Sequence, residues 1–229
     1  MSSLKKILDL PDDFEISKNL SSKDFESESF HPIIILPEKY EVFDFSEGYD
    51  PNRNLKFPFG IGKYNEHRPT MYEGEQFHYE ELQYRRTVHM GIDIAAPVGT
   101  EVYAFCDGHV FAVGNNDLSF DYGPTLITKH DICGFELYAL HGHLRLDLLQ
   151  NMHVGDLIKK GDIIAHIGDE MENGGWNPHV HFQLSRVPPP EGTFDLPGVV
   201  SLQDREFATK IFPDPRIFLG MLYCDQFSI

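Results

Sequence analysis

Two histidines separated by one residue, in Asn177-Pro178-His179-Val180-His181-Phe182, are the side chains of this sequence best placed to do chemistry. On a strand, alternate side chains share one face, so both imidazoles would converge on a single spot suited to a metal ion and its attacking water. Far upstream, His89-Met90-Gly91-Ile92-Asp93 offers one nitrogen and one oxygen to a divalent ion such as zinc. Three protein ligands plus one open position make the donor count of a catalytic metal site. The spacing alone is compatible with ordinary hydrogen-bonded histidines, because the chain carries neither a His-Glu-x-x-His run nor a Cys-x-x-Cys knuckle.

Strands must hold these residues. Ile92 to Ala96 is a short apolar run that stops at Pro97, and Val180, Phe182 and Leu184 alternate with His179, His181, Gln183 and Ser185, which gives one apolar face and one face of imidazoles. Further strands are expected at Ile33–Leu36, Val102–Phe105, His109–Val113, Thr125–His130, Phe135–His143, Ile163–Ile167 and His179–Leu184, divided by Gly, Asn and Asp turns. Helix is expected near Ser22–Glu26, over Leu146–Asn151 and near Leu202–Lys210. The fold class is therefore mostly β, an antiparallel sandwich or open barrel with little helix and an N-terminal extension.

Four ordered stretches carry a resemblance: His89-Met90-Gly91-Ile92-Asp93, Leu137 to Leu144, Val154 to Asp162, and Pro178-His179-Val180-His181-Phe182. Together they resemble the lysostaphin-type, LytM-like zinc metallopeptidases, over roughly Arg86 to Ser185. The resemblance implies two antiparallel sheets, the duplicated hybrid motif, enclosing a groove with Zn2+ on its floor. It implies that His89, Asp93 and His181 hold the metal while His143 and His179 handle protons. It also implies a zinc endopeptidase acting on a peptide or peptidoglycan-derived substrate. The tail, with Val187-Pro188-Pro189-Pro190 and Phe212-Pro213-Asp214-Pro215, is similar to the end of peptidase modules that certain bacterial proteins join to a class III aminotransferase.

Two other readings belong beside this one. A zinc-bound module could bind peptide or glycan without cleaving it, or stay latent under its own N-terminal segment. The Val154–Asp162 segment also resembles the hairpin of carrier domains in which a histidine pair accepts phosphate; Asp93 argues against that by like charge. Among other polar residues, Arg86 reads as solvated or ion-paired, Tyr122 and Asn115-Asn116 as candidates for the groove border, and His141 as sharing the face of His143. His109, His130 and His166 read as partnered or solvent-facing residues.

Composition sets the remaining bounds. A chain of 229 residues with 41% hydrophobic content supports one catalytic core with an appendage, divided as 1–72 extension packing on the core, 73–186 zinc peptidase domain and 187–229 proline-rich wrap. Three cysteines, Cys106, Cys133 and Cys224, have no knuckle or redox spacing and fit a reducing compartment, with Cys106 and Cys133 as core residues. A net charge of −17 argues against nucleic acid and anionic membranes as partners. Acids and Pro11 interrupt the first residues before an apolar leader core can form, so a cytoplasmic location is expected.

Overall fold

The structure, a computed structural model, describes residues 3–16, 18–50, 55–72 and 85–223. The expected boundary at 72/73 with the stretch after it, and Cys224, fall outside the described residues. Among the described residues, twelve strands and four short helices are ordered α1 (Ser3–Ile7), β1 (Glu41–Val42), β2 (Gly60–Gly62), β3 (Arg86–His89), β4 (Ile92–Ala95), β5 (Glu101–Tyr103), β6 (Gly108–Asn116), β7 (Gly123–Ile132), β8 (Phe135–Gly142), α2 (Leu148–Asn151), β9 (Leu157–Ile158), β10 (Ile163–His166), β11 (His179–Ser185), β12 (Val199–Ser201), α3 (Arg205–Ile211) and α4 (Arg216–Leu219). A 3₁₀ turn at Ser22–Phe25 buries Phe25.

Eight strands form one sheet in the order β1-β2-β4-β11-β8-β7-β6-β9, and two ribbons, β10-β5 and β12-β3, stand apart from it. All pairings are antiparallel except β1 with β2. The fold is thus mostly β with little helix.

Strand parity explains how the sheet is covered on both faces. Along β7 and β8, Leu126, Leu137 and Ala139 enter one apolar cluster, together with Ile92, Ile94, Val180, Phe182 and Leu184. The alternate residues Ile127, Tyr138 and Leu140 enter a second, with Val88, Met90, Leu196, Val200 and Phe212. Central strands buried on both faces lose the simple apolar/polar alternation of a half-exposed sheet. The extension shares in this packing: Leu20, Phe25, Ile33 and Ile34 join the first cluster, and Leu4 and Leu8 of the N-terminal turn region join the second.

Two local expectations fail. Ile33–Leu36 is not a strand: Pro32 and Pro37, which have no N–H, bracket it and keep a ladder from extending past it on either side; Ile33 accepts one bond, from the Tyr103 N–H at 2.9 Å. Cys133 is not a core residue: it is exposed in the β7–β8 turn, where Cys133 and Gly134 both have positive φ (52° and 77°), the pattern of a tight I′ hairpin. Cys106 is half-buried beside His130, 3.2 Å from its Nδ1, and burial pushes its thiol up to about 12. Among the described residues, no helix is long and apolar enough to cross a membrane.

Candidate active site

The register of three adjacent strands gathers the polar residues. In the β4–β11 pairing His181 stands opposite Asp93, and in the β11–β8 pairing it stands opposite Gly142, so Asp93 and His181 point to one face of the sheet. His89 ends β3 and reaches the same place through the turn at Met90-Gly91. A Cβ on Gly91 would lie 2.5 Å from the His181 ring, so only glycine lets this turn pass so close.

His143 arrives differently. It follows β8 with φ of 63°, a left-handed conformation uncommon outside glycine, fixed by its N–H bond to the Tyr122 carbonyl (2.7 Å) and by the Gly168 N–H donating to its carbonyl (3.0 Å). That reversal breaks strand parity. His141, expected to share its face, lies instead on the opposite side: it is fully buried, faces Phe182 across the register with ring centroids 5.1 Å apart, and does not line the cavity.

Three ligand-type atoms make a small triangle. His89 Nε2 to His181 Nδ1 is 3.0 Å, His89 Nε2 to Asp93 Oδ1 is 3.1 Å, and His181 Nδ1 to Asp93 Oδ1 is 3.1 Å. Each imidazole has its other nitrogen occupied. His89 Nδ1–H donates to the Lys63 carbonyl at 2.9 Å. His181 Nε2–H donates to Gln183 Oε1 at 3.0 Å, while the Gln183 amide nitrogen donates to the Pro197 carbonyl at 3.3 Å and so fixes which end accepts. Both inward nitrogens therefore present lone pairs to the carboxylate oxygen and to each other. Three such atoms crowded together repel unless a cation lies among them. Ligands about 2.0–2.1 Å from a tetrahedral zinc stand roughly 3.3 Å apart, so this donor set fits that ion.

Electrostatics keep the ligands in binding form. Burial, with the Arg68 charge next, lowers the His89 imidazole to about 4. Burial would push the Asp93 carboxyl up, but His89 and the Arg68 guanidinium outweigh it and hold the group well below the carboxylate range. Arg68 is wholly buried, donating from Nη1 to Asp93 Oδ2 (2.7 Å) and to the Tyr72 hydroxyl (3.0 Å), and from Nε to Glu66 Oε2 (2.9 Å). It thereby occupies the outer carboxylate oxygen and leaves Oδ1 to the triangle.

His143 and His179 adjoin the triangle. His179 Nε2 lies 3.8 Å from Asp93 Oδ1, and the rings of His143 and His179 are 4.2 Å apart. Their Nδ1–H groups donate to the carbonyls of Asn173 (2.8 Å) and Asn177 (2.7 Å), which leaves Nε2 of each as the proton acceptor. Burial lowers both; for His143, to well below the usual range. All five residues expected from the sequence thus meet on one wall of a cavity of about 150 Å³, whose rim includes Arg86, Phe120, Tyr122 and Trp176. Asn115 and Asn116 do not line it; Asn116 Nδ2 instead donates to Thr125 Oγ1 at 3.0 Å. Arg68, Gln183 and the Lys63 carbonyl are what sequence reasoning missed. Arg68 had no signal beyond its place in Glu66-His67-Arg68-Pro69, whereas Gln183 could have been found from its parity with His181.

Residues 87–191 match the model of peptidase family M23. Among solved structures, the chain is similar to a zinc-containing peptidase from Vibrio cholerae, at 30% identity over 48% of this chain and 32% of that one, with a TM-score of 0.36. It therefore spans about a third of that protein's length. It is also similar to a catalytic-domain mutant of the prophage-encoded M23 protein EnpA from Enterococcus faecalis, at 27% identity over 59% of this chain and 87% of that one, TM-score 0.41. A third similarity is to the catalytic domain of the antimicrobial peptidase lysostaphin from Staphylococcus simulans, at 22% identity over 65% and 91%, TM-score 0.42. No curated protein matches the chain.

Proposed function

We propose that this chain is a zinc metallopeptidase that hydrolyses peptide amides, with His89, Asp93 and His181 holding the metal and His143 and His179 moving protons. The observation that carries it is the triangle of inward lone pairs at 3.0–3.1 Å, with both imidazole tautomers locked from behind. A carboxylate oxygen beside two imidazoles attracts a cation and repels a phosphoryl group, which supports this reading over a phosphohistidine carrier.

Zinc bound there supplies a water of near-neutral pKa and polarises the scissile carbonyl. Asp93 and the two ligand imidazoles orient that centre, and Arg68 keeps the carboxylate in place. The free Nε2 atoms of His143 and His179 accept the proton of the attacking water and return it to the leaving amine. The rings' backbone bonds aim both acceptors at one space before substrate arrives, so reorientation costs little.

A peptide is the proposed substrate class. A net charge of −17 disfavours anionic wall polymers, so we place the activity on peptides rather than intact peptidoglycan, and the free thiols of Cys106 and Cys133 fit the reducing cytoplasm. Digestion of a peptide library beside purified peptidoglycan, with cell fractionation, tests both statements. For the chemistry, metal content and turnover are measured together. His89→Ala and His181→Ala are expected to lose zinc; His143→Ala and His179→Ala are expected to keep zinc and lose about 10²–10⁴-fold in turnover. Zinc retained by all four variants would overturn the assignment.

A further inference from the structure

A second cavity, of about 430 Å³, opens beside the first and shares Met71, Asp93, Trp176 and His179 with it. Its far wall comes from the extension, outside the family-matched stretch 87–191: Phe43, Phe45, Tyr49, Leu55 and Pro58. Strand pairing fixes that wall. β1 runs beside β2, β2 pairs with β4, and the Phe43 N–H donates to the Ile61 carbonyl at 2.8 Å. The Phe43 ring lies over Gly60, where a Cβ would fall 2.1 Å from it. Phe45 packs on Phe43 (5.5 Å) and Tyr49 (5.9 Å), and the Arg68 guanidinium stacks over Phe45 at 4.8 Å. The aromatic wall and the ligand carboxylate are thus held by the same buried arginine.

We propose that this cavity is a specificity pocket that receives a large apolar or aromatic side chain of the substrate next to the amide being cleaved. The inference rests on the peptidase reading and names the substrate class for it. Its volume lies within the roughly 300–1,000 Å³ of ligand pockets, and its walls are apolar and aromatic, whereas a peptide carrying glycine or alanine there would leave them wet. Continuity with the reaction cavity through His179 and Trp176 puts the side chain within one residue of the reacting carbonyl. Asp50 also lines the pocket, and the whole chain carries −17, which disfavours an acidic side chain there.

Trp176, the sole tryptophan, lines both cavities and reports occupancy directly. The test uses the full chain and three capped tripeptides, N-acetyl-Gly-X-Gly-amide with X as phenylalanine, glycine or aspartate. Binding is followed by Trp176 fluorescence in the His143→Ala protein, and cleavage by kcat/KM in the unsubstituted protein. The phenylalanine peptide is expected to bind at least 10-fold tighter than the other two and to be cleaved with a similar advantage. Leu55→Asp, at a rim position 49% exposed and so tolerant of change, is expected to reduce that ratio at least 10-fold. Equal binding of all three peptides would overturn the pocket, even with cleavage intact. Selective binding with no cleavage of any peptide would support the pocket and remove the hydrolytic reading, so the two failures are distinct.

Discussion

At the residue scale, the four imidazoles at the site share one device: each donates one ring N–H to a fixed oxygen, on Lys63, Asn173, Asn177 or Gln183, and turns the other nitrogen inward. Lys63 and Asn173 stand at positions that no motif marks and three of the four anchors are backbone carbonyls, which is why the five polar residues were legible in the sequence and their orientation was not. Arg68 is the largest omission. A buried guanidinium paired with Asp93 and Glu66 is worth little against an apolar replacement of the pair, yet removing it alone strands two carboxylates. Arg68→Met is expected to cost about 3–5 kcal/mol of stability and about 10–100-fold in zinc affinity, measured by denaturant unfolding and by competition with a chelating dye. Unchanged zinc affinity in the folded variant would show that Arg68 does not position Asp93.

At the element scale, the main strands were readable as short apolar runs bounded by Gly, Asn and Asp turns, with alternation clear along β11, and the expected spans at Thr125–His130 and His179–Leu184 lie inside β7 and β11. What alternation could not give is the place where it stops. The left-handed turn at His143 sends that side chain to the site and leaves His141 in the core; nothing in Leu140-His141-Gly142-His143 announces it beyond Gly142, on whose Cβ the Tyr122 ring would impinge at 2.5 Å. The proline-bracketed Ile33–Leu36 shows the converse, an apolar run whose two flanking positions have no N–H to carry a ladder onward. The turn that joins β3 to β4 gives a sharp prediction. Gly91→Ala forces its methyl against the His181 ring, so metal content is expected to fall sharply while circular dichroism keeps the β signature; full zinc loading in that variant would mean the ring moves freely. In the core, Phe182→Ala is expected to destabilise by about 3–5 kcal/mol, read from denaturant midpoints.

At the scale of the whole molecule, neutral histidines are buried throughout. His130, bonded to the Thr128 hydroxyl at 2.7 Å and the Asp107 carbonyl at 2.9 Å, is lowered by burial to about 4; His141 is lowered by burial to about 3. Unfolding releases both to an imidazole's ordinary value near 6.5, so the unfolded chain binds more protons between about pH 6.5 and pH 4. Stability therefore falls as pH drops through that window, by about 2 kcal/mol per histidine between pH 7 and pH 5. Urea unfolding at the two pH values checks this, and His130→Gln is expected to shrink the difference by about 2 kcal/mol, the share of one histidine; an equal slope in both proteins would show that His130 does not titrate on unfolding. One feature of the extension bears on how the protein can be cut. The Lys63 carbonyl and Arg68 brace the ligands from segments that precede residue 87. A minimal fragment drawn at the family boundary would retain every chemically active side chain and lose the scaffold that sets the His89 tautomer and the Asp93 rotamer. Transplanting this centre into another protein would likewise require two discontinuous pieces of chain, one for the reagents and one for their buttress.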